Sequence, residues 1–166
     1  MKKKHLSSVL AVLVALAVCA ALALPAAAAD TAGYAAEVAR LVNAERAKAG
    51  LPALAADTAL AAAAQSRAQE TATSFSHTRP DGREWHTVLA EQGITYRRAG
   101  ENIAYGQKTP AEVVTGWMNS QGHRENILGN FTRIGVGVYE KNGVLYWAQL
   151  FTNVESGGAK NLFSIY

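Results

Sequence analysis

The sequence predicts an α+β domain in which helices come first and an antiparallel sheet collects late. Three observations predict it. Apolar residues recur at helical spacing between residues 32 and 118. The period then changes to two at Ile134, Val136 and Val138. Asn142-Gly143, a short and strong hairpin signal, follows that alternation.

Each element has a local reason. Residues 32–49 read as a helix with Val38, Leu41, Val42 and Ala49 on one stripe, stopped by Gly50 and Pro52. Asp57 is placed to cap a second, alanine-rich helix that runs to about Ala72. Pro80-Asp81-Gly82 is turn chemistry, and Asp81 with Glu84 resembles a capping box for a third helix carrying Trp85, Val88 and Leu89 and ending at Gly93. Thr109-Pro110-Ala111-Glu112 supplies an N-cap, a proline at the first position and a glutamate at the third. The fourth helix it opens carries Val113, Val114, Trp117 and Met118. A two-residue turn at Asn142-Gly143 pairs Lys141 with Val144, and so sets Val138 opposite Trp147, Val136 opposite Gln149 and Ile134 opposite Phe151. Gly135 and Gly137 then share the other face, where something can approach the backbone closely. Gln149 is read either as a satisfied buried amide or as a pocket residue. Trp85, Trp117 and Trp147 are expected in the core, His86 on a helix surface, and Arg97-Arg98 at a solvated strand edge.

The chain has 166 residues and a net charge of +3, from 16 basic and 13 acidic side chains. Lys2, Lys3 and Lys4 open an n-region, Leu6 to Leu24 is almost wholly apolar, and Ala27-Ala28-Ala29 offers a small-residue cleavage site before Asp30. Residues 1–29 are therefore expected to be a signal peptide, with an uncleaved anchor as the alternative. Residues 30–153 are expected to form the domain, and residues 154–166, with Glu155-Ser156-Gly157-Gly158, a tail. Without the three leading lysines the balance is 13 basic against 13 acidic. That neutrality argues against nucleic-acid binding, which relies on clustered Lys and Arg. The only cysteine, Cys19, falls in the signal segment, so the exported part would lack disulfides, thiolate metal sites and a Cys nucleophile. A secreted or envelope-located monomer with no membrane span after cleavage is expected.

Local enzyme motifs are absent: no H-E-x-x-H, no G-x-S-x-G and no P-loop occurs. Beyond residues 1–29, which contain His5, three histidines remain, His77, His86 and His123. Ser76-His77-Thr78-Arg79-Pro80-Asp81-Gly82 is a polar loop, Gly100-Glu101-Asn102-Ile103-Ala104 sets a carboxylate beside an apolar segment, and residues 117–128 mix polar and aliphatic side chains around His123. Spacing by itself does not bring His77, Glu101 and His123 together. Asn102, Arg124 and Asn126 read as loop hydrogen-bonders.

Those blocks, with Leu41-Val42-Asn43-Ala44-Glu45-Arg46 before them and Ile134-Gly135-Val136-Gly137-Val138 and Trp147-Ala148-Gln149-Leu150-Phe151 after them, resemble the CAP superfamily. This is the SCP-like extracellular domain of cysteine-rich secretory proteins, antigen 5 and plant pathogenesis-related proteins; the chain is most similar to its disulfide-free bacterial branch over about residues 34–152. The resemblance implies an α-β-α sandwich with a central cleft that typically holds two histidines and two acids. His77, Glu101 and His123 match three of those positions, and Ser120 stands where the second acid usually does. It leaves two states for the cleft: empty, or holding a zinc ion with His77 and His123 as its ligands and Glu101 or water completing the set.

Three functions are weighed. The first is a secreted binding module for a lipid or sterol, a metal, or a cell-wall partner. The second is a hydrolase in which His77 or His123 is the general base, Glu101 orients it, and Ser120 or a water attacks. The third is a structural network in which Glu101 accepts backbone N–H groups and a bond from His123. Ser120 is read principally as the cap of a short helix holding His123.

Overall fold

A computed structural model describes residues 30–153 and 162–165. Residues 1–29, read from sequence as a signal peptide, and with them Cys19, lie outside the described residues. Among the described residues five helices and five strands run in the order α1 (Thr31–Lys48), β1 (Ala55–Ala56), α2 (Thr58–Thr71), α3 (Thr87–Glu91), β2 (Arg98–Tyr105), α4 (Pro110–Asn119), α5 (Gln121–Ile127), β3 (Arg133–Lys141), β4 (Val144–Thr152) and β5 (Leu162–Ile165). The sheet order is β1-β3-β4-β2-β5. Its three middle strands are antiparallel, but β1 joins β3 and β5 joins β2 in parallel, so the expected antiparallel sheet is mixed at its edges.

The hairpin register is the one predicted from Asn142-Gly143: Lys141 faces Val144, Val138 faces Trp147, Val136 faces Gln149 and Ile134 faces Phe151. Asn142 and Gly143 both take positive φ, +54° and +76°, as a tight hairpin turn requires. Alternation then divides the molecule into layers. Ile134, Val136, Val138, Trp147 and Phe151 pack with Val38 and Val42 of α1, Val113, Val114 and Trp117 of α4, and Ile127 at the end of α5. On the opposite face Leu150 and Ala99 pack with Leu60, Ala63 and Ala64 of α2 and with Trp85, Val88 and Leu89. The result is an α-β-α sandwich. Gly135 and Gly137 are the contact surface for α2: a Cβ on either would overlap the helix backbone at Leu60 or Ala64. The alanines of α2 and these glycines are one adaptation, which brings helix and sheet together at backbone distance.

Helix starts follow the caps read from sequence. The Asp57 side chain accepts from the Leu60 N–H (2.9 Å), and Thr109 Oγ1 accepts from the Glu112 N–H (3.2 Å). The third helix departs from expectation. Asp81 accepts instead from the Arg83 N–H (3.0 Å), which closes a local turn, and the helix begins later, with His86 at its N-cap. His86 sits edge-on to Trp85, with ring centroids 6.0 Å apart. On α1 the buried stripe is Val38, Val42 and Arg46, while Ala49, expected on it, is exposed. Arg98 is not at a solvated edge: β2 lies between β4 and β5, and the Arg98 guanidinium sits 5.3 Å above the Phe131 ring. Leu162–Ile165 pairs with Arg98–Glu101, so part of the segment read as a tail supplies a strand.

Candidate functional site

Strand β2 organises the site because consecutive residues face opposite layers. Gly100 faces α5, where a Cβ would come within 3.0 Å of Asn126 Oδ1 and 3.1 Å of the Phe131 ring. Glu101 faces α2. Asn102 again faces α5: its Nδ2 donates to the His123 carbonyl (3.1 Å) and to Gln149 Oε1 (3.1 Å), and its Oδ1 accepts from Asn126 Nδ2 (2.9 Å). Asn102 and Asn126 are thus interior residues rather than loop hydrogen-bonders, Gln149 is a buried amide, and together the three dock α5 on the sheet. Arg124 Nη1 donates to the Met118 carbonyl (2.9 Å).

Glu101 is wholly buried, and its carboxylate is held by Arg67 and His77 rather than by backbone N–H groups. Arg67 Nε donates to Oε2 at 2.7 Å, and the His77 Nδ1–H donates to Oε1 at 2.6 Å. Arg67, also fully buried, donates to Glu70 Oε2 (2.6 Å) and to the Ser76 carbonyl (2.7 Å), the residue before His77. Glu70 in turn accepts from Arg79 Nη2 (2.6 Å), and Arg79 Nη1 reaches Glu91 Oε1 (2.7 Å), which Arg83 also grips. Arg79 therefore pins the Ser76–Gly82 loop to both α2 and α3. These shared carboxylates raise the Arg79 pKa, principally through the bond to Glu91, and hold Glu91 down at about 2.

Ser120 and His123 line a cleft of about 300 Å³ at the C-terminal end of β2, together with Phe75, Tyr105, Gln107 and Trp117. Ser120 occupies the N-cap position of α5 but makes no side-chain cap bond, so the capping role read from sequence is not realised. The four expected site residues thus fall into two pairs: His77 with Glu101 on the α2 face, and Ser120 with His123 in the cleft. Sequence reasoning missed Arg67, Glu70 and Arg79. Arg67 and Glu70 carry only an i, i+3 charge pair as a local signal, which ordinarily marks a solvated helix face.

A zinc ion on His77, Glu101 and His123 does not fit this arrangement. Both Glu101 oxygens already accept from Arg67 and His77, and among the described residues no three His, Cys, Asp or Glu side chains gather where they could hold a metal.

Residues 39–151 match the CAP family, described as the cysteine-rich secretory protein family. The chain is 44% identical over 121 residues to the Bacillus subtilis protein YkwD, a match that covers 71% of this chain and 46% of YkwD, so it spans less than half of that relative. Among solved structures it superposes on an extracellular SCP-domain protein of Bacillus anthracis with TM-score 0.70 and 32% identity, covering 75% of this chain and 41% of that one. An outer surface protein of Borrelia burgdorferi shares the fold, with TM-score 0.65 and 20% identity over 71% of this chain and 90% of that one.

Proposed function

Because the chain belongs to the CAP family of cysteine-rich secretory proteins, we propose that it is exported and acts outside the cell as a binding module whose ligand enters the cleft at the end of β2. Export is supported by the basic, apolar and small-residue pattern of residues 1–29 and by the extracellular relative in Bacillus anthracis. Among the described residues no helix is long and apolar enough to cross a membrane.

One observation carries the binding reading. Phe75 and Tyr105 are the exposed large apolar side chains of the described residues, at 47% and 54%, and they meet edge to face at the cleft mouth with centroids 4.7 Å apart. Trp85, Trp117 and Trp147, by contrast, are all buried. Aromatic rings held in mutual contact yet left open to water suit a ligand surface better than a folding core. The polar pair behind them has a different task. Glu101 locks Arg67 and His77, and so fixes the loop that presents Phe75.

The test is co-sedimentation of the exported protein with envelopes from the producing cells. The parent protein is expected to pellet with the envelopes, and the Phe75→Ala/Tyr105→Ala variant to stay in the supernatant. Equal pelleting of both, or of neither, overturns the reading.

A further inference from the structure

We infer that the ligand of this cleft is a neutral glycan of the cell exterior, stacked on an aromatic row that crosses the sheet; this rests on the binding reading above.

The row follows from register. Tyr139 of β3 faces Tyr146 of β4, and Tyr146 faces Tyr105 of β2, so all three share the α2 face at the same level of the sheet. Tyr105 and Tyr146 stack, with centroids 5.9 Å apart and planes 18° from parallel, and Phe75 extends the row beyond Tyr105. Neighbouring strands lie about 4.8 Å apart, so the tyrosines alone span roughly 10 Å. Tyr105 and Phe75 at the end of the row are exposed, while Tyr139 and Tyr146 are half-buried, because α2 ends before it covers the row. Ala68 still packs near Tyr139, but the helix ends at Thr71, and Lys141 Nζ closes on the Ala72 carbonyl (2.9 Å).

A second, polar observation defines what must accompany the flat surface. Gln107 lies in the wall of the cleft and also in that of a neighbouring groove of about 370 Å³ beside Tyr34 and Lys108. Its backbone carbonyl is fixed by Trp147 Nε1 (3.1 Å), yet its buried Oε1 accepts from no group of the described residues. A buried acceptor without a donor is costly, and a ligand that brings an N–H or O–H recovers that cost. An acyl chain brings none. A pyranose brings both requirements in one ring: an apolar C–H face for Tyr105 and Phe75, which line the cleft with Gln107, and hydroxyl or acylamino donors for Gln107 itself. The charges agree. Among the residues lining the cleft there is no Asp, Glu, Lys or Arg, and those of the groove include one Lys and one Glu, so nothing selects a polyanion.

The test titrates chitotetraose, a neutral oligomer of N-acetylglucosamine, into the full exported chain by calorimetry, beside Tyr105→Ala and Gln107→Leu. Saturable binding is expected, weakened at least tenfold by either substitution. Gln107→Leu should melt no lower than the parent, because it removes an unmatched acceptor. No binding of chitotetraose, or equal binding by all three proteins, overturns the inference. If envelope co-sedimentation still depends on Phe75 and Tyr105 in that case, the glycan class is wrong and the binding reading stands. If both assays fail, both fall together.

Discussion

Glu101→Gln isolates what the buried carboxylate does. Glu101 and Arg67 are each fully buried, and the pair is 2.7 Å apart. Glutamine keeps the volume and one acceptor oxygen but turns the other into a donor, which must then face either the Arg67 Nε–H or the His77 Nδ1–H. Removing one partner of a buried ion pair costs about 3–5 kcal/mol. Arg67 retains Glu70 and the Ser76 carbonyl, so the lower end applies, about 3 kcal/mol. For a domain of about 125 residues the unfolding entropy near the midpoint is about 0.26 kcal/mol/K, and the expected fall in Tm is about 11 °C. Arg67→Met should cost at least as much, since it strands the carboxylate. The double variant Arg67→Met/Glu101→Leu should melt above either single variant, because two apolar groups replace two charges that no longer need each other. Calorimetry or thermal circular dichroism reads all four proteins. A Glu101→Gln midpoint within 2 °C of the parent, on the ~11 °C scale expected, would refute the claim that this carboxylate holds the fold together.

Three further outcomes follow from the same geometry. Gly137→Ala drives a methyl group into the backbone of α2 at Ala64, where nothing flexible can yield, so a loss of about 3 kcal/mol in urea unfolding is expected. Arg46→Met keeps the stem but leaves the carbonyls of Pro52, Ile127 and Gly129 without the guanidinium that now serves them at 2.8–2.9 Å; about 2–3 kcal/mol should be lost, and Arg46→Lys should not restore it, because an ammonium cannot span all three. Glu91 has its pKa lowered from 4.5 to about 2, through the bonds to Arg79 and then Arg83. A lowered folded-state value means its stabilisation is present above the unfolded pKa and is lost as pH falls through the folded one. The Tm gap between the parent and Glu91→Gln should therefore be full above pH 4.5 and close as pH approaches about 2; a gap that does not change over this window would contradict the assignment.

The hairpin and the layer arrangement were legible because their signals are local. Asn142-Gly143 sets a register, and the register then decides every facing pair from Lys141 to Ile134. The same alternation announced Gly135 and Gly137 as a contact surface, though not that α2 would fill it. The site was legible only as a set of residue types. Arg67 and Glu101 are 34 positions apart and meet because α2 crosses the face of β2, a tertiary fact with no local trace. Arg79 read as an ordinary member of a polar loop until Glu70 and Glu91 closed on it from two helices. The start of α3 was misread for a physical reason: Asp81 has one side chain to spend, and the turn at Arg83 takes it.

Anchoring and exposure are separated along a single strand. Glu101 ties β2 to α2 through Arg67, while Asn102, the next residue, ties it to α5 through the His123 carbonyl and Asn126. Both helical layers are therefore stitched to β2 immediately before Ile103, Ala104 and Tyr105 form the cleft wall. The Tyr105 ring is more than half exposed, so trimming it should leave the midpoint nearly untouched, while trimming Glu101 should move it by many degrees. Ligand binding should show the reverse ranking for Tyr105. For Glu101 the two effects come together, because the loop carrying Phe75 is held by Arg67 at Ser76, and Arg67 is oriented by Glu101. Under the proposed binding reading the carboxylate acts on the cleft through the loop it anchors, so a Glu101 variant should weaken ligand binding without the residue touching a ligand.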